Sequence, residues 1–520
     1  MSRLTRRAFG SAVVALTAGT VLASCGAKSG SDGGGSGGGA GAGLRIGSTV
    51  VPQSWDPAQI GAANYVPYGQ AVYDSLIRRT LEDEYVPMLA TAWEFSDDNL
   101  TITLTLRDDV TFSDGAALDA EAVKANFEHF AQAAGPLGNQ LVGLSKVEVL
   151  GTHELSATFD APIPDLEYNL SDAAGRMASP ASLGEESLKT VPVGSGPYVM
   201  DETTSVQGST YTLNAREDYW EPDLQKFDQV IFSIYSDETG LLNALKSGQV
   251  DVGNLTQQDN IDNASASGLE IHNAAVPISW VGLALYDRDG TMVPELASPL
   301  VRQAIAHAID SEAINQAAYN GAGVPNRQLL NPSSEAYDES LNSIYPYDPE
   351  RARELLAEAG HPDGFTLPMP AATGLLVPAA QTGIEQGLAE VGITVDWTTI
   401  PSQQLYSEMQ AGKYAAAFVI FGSVPTEWSV VQDYLAENAA WNPFKTSDPE
   451  LQELIDAIPS ASPEEQTGLF AQINEWEVES AWFIPWYWAE ENFAQASDTV
   501  TVEVQPRNNV PFVYNYAPAS

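Results

Sequence analysis

The spacing of apolar and polar residues changes from strand to helix within residues 86–127. Leu100, Ile102, Leu104 and Leu106 alternate with Thr101, Thr103, Thr105 and Arg107. That period of two, with β-branched polar partners, predicts a half-buried strand. Asp97-Asp98-Asn99 before it is a turn, because these side chains bond their own backbone. Asp114-Gly115 is expected to end a second short strand, glycine tolerating positive φ there. Asp119 then caps a helix whose apolar face includes Ala122, Val123, Ala125, Phe127 and Phe130.

The rest of the chain keeps an α/β rhythm. Leu44-Arg45-Ile46-Gly47 opens a strand, and residues 145–160 read as a hairpin about Gly151-Thr152. Val230-Ile231-Phe232 is a strand, Thr239 to Lys246 a helix stopped by Gly248, and Val250-Asp251-Val252 the next strand. Strand, helix, strand in that order predicts a βαβ unit and a parallel sheet. Beyond the apolar run Trp280 to Leu285, residues 348–360 form a helix with Pro349 at its start and Gly360 at its stop. Helices over 376–391 and 402–411 and a strand from Tyr414 to Phe421 follow. Near the end, alternation places Trp482, Ile484, Trp486 and Trp488 on one strand face, with Phe483 and Tyr487 on the other.

The N-terminus is read as targeting rather than fold. Thr5-Arg6-Arg7-Ala8-Phe9 resembles a twin-arginine export signal, and the apolar run Ala12 to Leu22 falls short of the ~20 residues a membrane span needs. Leu22-Ala23-Ser24-Cys25 resembles a lipobox, in which Cys25 is acylated and becomes the new N-terminus. Cys25 is the only cysteine, which excludes a disulfide framework and a multi-cysteine zinc site. Residues 26–43, rich in Gly and Ser, make a tether.

Composition narrows the partners. The formal charge of the 520 residues is −46, and cleavage before Cys25, which removes Arg3, Arg6 and Arg7, takes it to about −49. A body so acidic is repelled by phosphate backbones and anionic headgroups, so nucleic acid is not a partner and membrane contact is through the anchor only. From about Leu44 to Ser520 the chain exceeds one ordinary core, and two or more lobes are expected.

The order of residues carries a further signal. Pro87, Leu89-Ala90, Trp93-Glu94, Leu106-Arg107, Phe112-Ser113-Asp114-Gly115 and Glu121-Ala122-Val123 resemble the pattern of family-5 solute-binding proteins of ABC importers, the group of oligopeptide, dipeptide and nickel receptors. Ala122 stands where that family usually has Asp. Further matches are Asp56-Pro57, Gly194-Ser195-Gly196-Pro197-Tyr198, Asn214 to Trp220, Leu245 to Asp251, Arg302 to Asp310, and Leu355 to Gly360. The resemblance implies a class II periplasmic-binding-protein-like α/β fold: two α/β lobes joined by a hinge, with an extra subdomain inserted in the first. The expected limits are 1–24 signal peptide, 25–43 tether, 44–72 with 192–279 and 489–520 lobe I, 73–191 inserted subdomain, and 280–488 lobe II.

By the same resemblance, the loop after Asp56-Pro57 forms one wall of a ligand cleft, making Gly61, Ala62, Ala63 and Asn64 candidates. The end of the 414–421 strand forms the other, with Phe421 where the family usually has Trp, then Gly422, Ser423 and Val424. Val424 occupies the place of the carboxylate that neutralises a peptide's α-amino group in peptide receptors. A blocked or cyclic peptide, an oligosaccharide or another polar metabolite would suit such a site. Alternatively, Glu427 or an acid from the other lobe supplies the charge. Trp428, Trp441 and Trp488 complete the candidate walls. The implied protein is exported, lies on the outer face of the cell membrane, and hands a small solute to permease and ATPase subunits without catalysis or cofactor.

Three other readings are weighed against this one. A secreted hydrolase lacks support, since none of the five histidines has a His-Glu-x-x-His neighbourhood and no nucleophile motif appears. A nickel-type metal receptor has few soft ligands to draw on, although carboxylates bind hard cations. An adhesive or sensory module that kept the fold would be separated by a test of uptake. His307, alone in its helix, is read as structural.

Overall fold

The computed structural model describes residues 43–133, 135–273, 279–422, 424–489, 492–496, 500–505 and 510–519. The signal, Cys25 and the tether lie outside the described residues, as does Ser423. Three sheets organise the remainder.

The largest has seven strands, in the spatial order Glu270–Asn273, Asn492–Gln495, Val252–Leu255, Gly43–Ser48, Gln229–Ile234, Thr210–Ala215 and Tyr198–Met200. Gly43–Ser48 runs parallel to both Gln229–Ile234 and Val252–Leu255. The crossover between those two neighbours is helix Glu238–Lys246, as the strand–helix–strand pattern requires. Asp237 starts this helix by accepting the Gly240 N–H at 2.8 Å. Leu241, Leu242 and Leu245 bury its inner face.

A four-stranded antiparallel sheet forms the inserted subdomain, ordered Ala90–Phe95, Thr101–Leu106, Glu154–Phe159, Leu144–Gly151. Ile102, Leu104 and Leu106 face its core and the alternate threonines point outward. Helix Ala120–Gln132 covers it, with the Asp119 carboxylate accepting the Ala122 N–H at 2.9 Å. One expectation is corrected here. Before Asp114 there is no second strand, only a single bridge from Thr111 to Ala117. The backbone of this segment is satisfied elsewhere: Ser113 N–H reaches Gly194 O, and Thr111 O takes the Arg216 guanidinium. With those groups committed, no ladder can extend.

The second lobe is built on an antiparallel sheet ordered Val324–Pro325, Phe483–Ala489, Ser279–Leu285, Ala416–Gly422, beside the parallel pair Thr366–Thr373 and Thr394–Pro401. The aromatic strand does not keep the expected alternation. Its register slips between Val281 and Gly282, which oppose Tyr487 and Pro485, and Trp486 is left over as a bulge. The Trp486 carbonyl accepts instead from Asn326 N–H at 3.0 Å. The slip reverses the side-chain phase. Ile484, Trp486 and Tyr487 enter one core cluster, while Trp482, Phe483 and Trp488 enter the other. Gly282 permits the close approach, since a Cβ there would lie 2.1 Å from the Ile484 carbonyl oxygen. His307 is buried and its Nδ1 lies 2.9 Å from Pro346 O, a structural position.

Candidate functional site

The first wall begins at Asp56, whose carboxylate accepts the Ala58 N–H at 3.0 Å and pairs with His129 Nε2 at 2.9 Å. That hydrogen bond raises the His129 pKa. Trp55 is buried against Tyr68 and Tyr211 and fixes the base of the loop. Gly61 and Asn64 are half-buried, Ala62 is exposed, and Ala63 takes a left-handed φ of 56°. Asn64 Oδ1 accepts from Asn254 Nδ2 at 3.2 Å. Both amides line a cavity of about 250 Å³ with Ser48, Thr49 and Thr256. It lies off the carboxyl ends of the parallel strands, where open α/β sheets bind ligands. Gly61, Ala62 and Ala63 do not line it.

The second wall lies in the other lobe. Phe421 is a core residue, its ring centroid 4.3 Å from Trp441, 5.3 Å from Trp280 and 5.6 Å from Tyr434. Trp488 is fully buried. Both expected wall residues are thus taken up by packing within the second lobe. Trp441 is half-buried on Phe421 and Tyr406. Gly422 is exposed and pairs with Ser279. Val424 borders a recess of only about 10 Å³, room for roughly one water.

Beyond Val424 the chain turns into the short helix Glu427–Val430. Thr426 caps it, its hydroxyl accepting the Ser429 N–H at 3.0 Å. The same segment faces the inserted subdomain. Thr426 Oγ1 donates to Asp165 Oδ2 at 3.1 Å, and Ser429 Oγ to the same oxygen at 3.3 Å. Between the two bodies is a cavity of about 200 Å³. Asp165, Glu335 and Glu427 supply its acids, and Tyr85, Trp428 and Phe470 its aromatic surface. One turn further along, Asp433 is half-buried, and burial together with the negative charge of Asp165 pushes its pKa up to about 6. Burial also raises the Asp165 pKa, against the two hydroxyl bonds that lower it.

Thus Asn64 lines one cavity and Trp428 another, and no cavity described here holds both. Sequence reasoning missed Asp165, Tyr85, Glu335, Phe470 and Asp433. Asp165 precedes helix Leu166–Ser171 and looks like an N-cap, yet its side chain makes no capping bond. Among the described residues no three His, Cys, Asp or Glu side chains converge to hold a metal ion, and no helix is long and apolar enough to cross a membrane.

Solved structures place the fold among the class II periplasmic binding proteins. HbpA2 from Haemophilus parasuis matches with a TM-score of 0.78 at 22% identity, covering 92% of this chain and 100% of its own. NikA from Brucella suis in complex with Fe(III)-EDTA matches with a TM-score of 0.76 at 20% identity, covering 92% and 100%. DppA from Helicobacter pylori in complex with peptide STSA gives 0.72 at 20%, covering 92% and 98%. Two lobes of this kind, with a subdomain set in the first, are the architecture shared with these binding proteins. The chain belongs to the bacterial extracellular solute-binding proteins, family 5, whose model matches residues 84–442. Among curated relatives, the glutathione-binding protein GsiB of Escherichia coli O1:K1 / APEC is 29% identical over 437 residues, covering 79% of this chain and 82% of its own length. These relatives are binding proteins rather than enzymes.

Proposed function

We propose that this protein is a lipid-anchored receptor that captures a peptide-like or other small polar solute between its lobes and delivers it to an ABC permease. Lobe I comprises 44–72, 192–279 and 489–520, the inserted subdomain 73–191, and lobe II 280–488. The observation that carries the reading is the cavity of about 200 Å³ between the subdomain and lobe II, beside which Thr426 and Ser429 donate to Asp165. A solute filling it touches both bodies, so its binding favours the arrangement in which they are close. The mechanism is closure, with no bond made or broken in the solute.

Mass spectrometry of small molecules released by denaturing the purified protein identifies the solute. At saturation that solute lowers the radius of gyration in solution scattering, and raises stability by ~2.7 kcal/mol at a hundredfold excess over Kd. A bound solute that stabilises without compaction overturns the closure reading. For the anchor, Cys25→Ala releases the protein from the membrane fraction; unchanged membrane association overturns that part.

A further inference from the structure

Two helices of lobe II, Ser311–Tyr319 and Pro378–Glu390, leave a groove of about 590 Å³ between them. It shares no lining residue with the cavities at Asn64 and Trp428. The helices run antiparallel and close on each other along their inner side. A Cβ at Gly383 would lie 2.5 Å from Ile314 Cγ1, and one at Gly387 2.4 Å from the Ala308 carbonyl oxygen. Along the outer side the floor is small and apolar, with Ala313 and Ala317 of the first helix exposed and Ala379 of the second half-buried. Tyr347 forms part of the wall, its ring left 44% exposed, and its hydroxyl donates to Glu390 Oε2 at 3.0 Å.

One end of this trough is acidic. Asp310 caps the first helix by accepting the Ala313 N–H at 2.9 Å, and the antiparallel arrangement brings it to the end where Glu390 closes the second helix. Arg353 Nη2 meets Glu390 Oε1 at 3.2 Å from outside the lining. The terminal carbonyls of the second helix add negative charge at the same place. Neither helix contains Lys or Arg, and each carries a further exposed acid, Glu312 and Glu385.

Charge and composition narrow what can cover such a surface. The tether over 26–43 has no apolar side chain larger than alanine, so it cannot fill the trough. A second copy is opposed by charge, since two bodies of formal charge −46 repel and these helices offer no cation to offset that. The chemistry that fits is a segment with a large apolar side chain and a Lys or Arg beside it.

We infer that this groove docks the permease: an extracellular segment of its membrane subunit seats a Leu- or Phe-sized side chain on Ala313 and Ala317 and sets a Lys or Arg by Asp310 and Glu390. The inference rests on the receptor reading above and names the surface through which delivery is made. Every lining residue belongs to lobe II, so the contact holds one lobe and leaves the cleft free to open.

The test is photo-crosslinking in cells that produce the full chain. p-Benzoylphenylalanine is placed at Thr382, an exposed groove position, and separately at Glu202 on lobe I and Glu121 on the inserted subdomain, both exposed. Thr382 gives an adduct that mass spectrometry identifies as an ABC permease subunit, joined through an extracellular segment bearing Lys or Arg. Ala317→Arg, which crowds the trough and repels the incoming cation, lowers that yield by about tenfold or more. Asp310→Asn keeps an oxygen to cap the first helix, lowers the yield by about threefold, and serves as the second variant if Ala317→Arg folds poorly. The inference is overturned if neither substitution lowers the yield, or if Thr382 links to a second copy of this chain or to any protein other than a permease subunit. It also falls, with the receptor reading intact, if Glu202 or Glu121 links to a permease subunit and Thr382 does not. No permease adduct from any of the three positions overturns the delivery reading as well.

Discussion

Asp74 and Asp165 are both withdrawn from water, and burial raises the pKa of both. Their donors differ in origin. Asp74 accepts the Tyr219 hydroxyl and the Trp220 indole N–H, each at 2.8 Å, and its own N–H reaches Ser195 Oγ at 3.3 Å. These bonds join the inserted subdomain to the lobe in which it is set, with no donor from the second lobe among them. Asp165 takes its hydroxyls from across the gap, and keeps them only while the two bodies touch. Burial and the direction of the pKa shift therefore do not separate a carboxylate held within one lobe from one shared across the gap between lobes. The lobe that supplies the donors does.

The sharpest way to break this comparison is Asp74→Ala. It strands a buried phenol and an indole N–H, and is expected to cost about 2–5 kcal/mol of unfolding free energy in urea titration. Solute affinity per folded molecule stays unchanged; a parallel loss of affinity would erase the distinction. Next in size is the dependence on pH. Burial pushes Glu477 up to about 8, and Asp74 and Asp433 up to about 6. A carboxyl whose pKa is higher folded than unfolded binds more protons when folded, so its contribution is greatest in acid and is lost as pH rises through the folded value. Urea midpoints are thus expected to rise as pH falls from about 8 to 5, and Glu477→Gln to flatten the upper part of that curve. Midpoints that fall over this range would contradict the assignment. The smallest effect is Thr426→Val, which removes a helix cap and one donor to Asp165 at a cost of about 1 kcal/mol. Its sharper readout is scattering: without solute, the variant is more extended than the native protein, whereas Asp74→Ala is not.

Much of the fold could be read from residue order. The alternation from Leu100 to Leu106, the cap at Asp119 and the crossover through Glu238–Lys246 are each set by near neighbours, so local spacing predicts them. The aromatic strand was misread because its bulge depends on Gly282 of a partner just over two hundred residues earlier and on Asn326, neither visible in the strand itself. The same applies to the site. Asn64 and Trp428 were expected from their place in a family pattern, and each lines a cavity. Phe421 and Trp488 were expected beside them and lie buried, because an aromatic residue reads alike whether it walls a cleft or fills a core. Asp165, in the sequence Ile163-Pro164-Asp165-Leu166, reads as an ordinary helix cap, and only the tertiary fold turns its carboxylate to Thr426.

The strand Asn492–Gln495 lies between Val252–Leu255 and Glu270–Asn273, and Gln70 Oε1 accepts from Val513 N–H across 443 residues of sequence. The lobe that begins first during synthesis is therefore the last to be finished. Until the ribosome has added those final segments, two strands expose their hydrogen-bonding edges with nothing between them, an arrangement prone to pairing with other chains. The second lobe closes on contacts between 279 and 489 and has no such wait. A chain cut short near its end would thus carry one completed lobe and one open-edged lobe, a form that proteases and chaperones can tell from the finished molecule by its unpaired backbone alone.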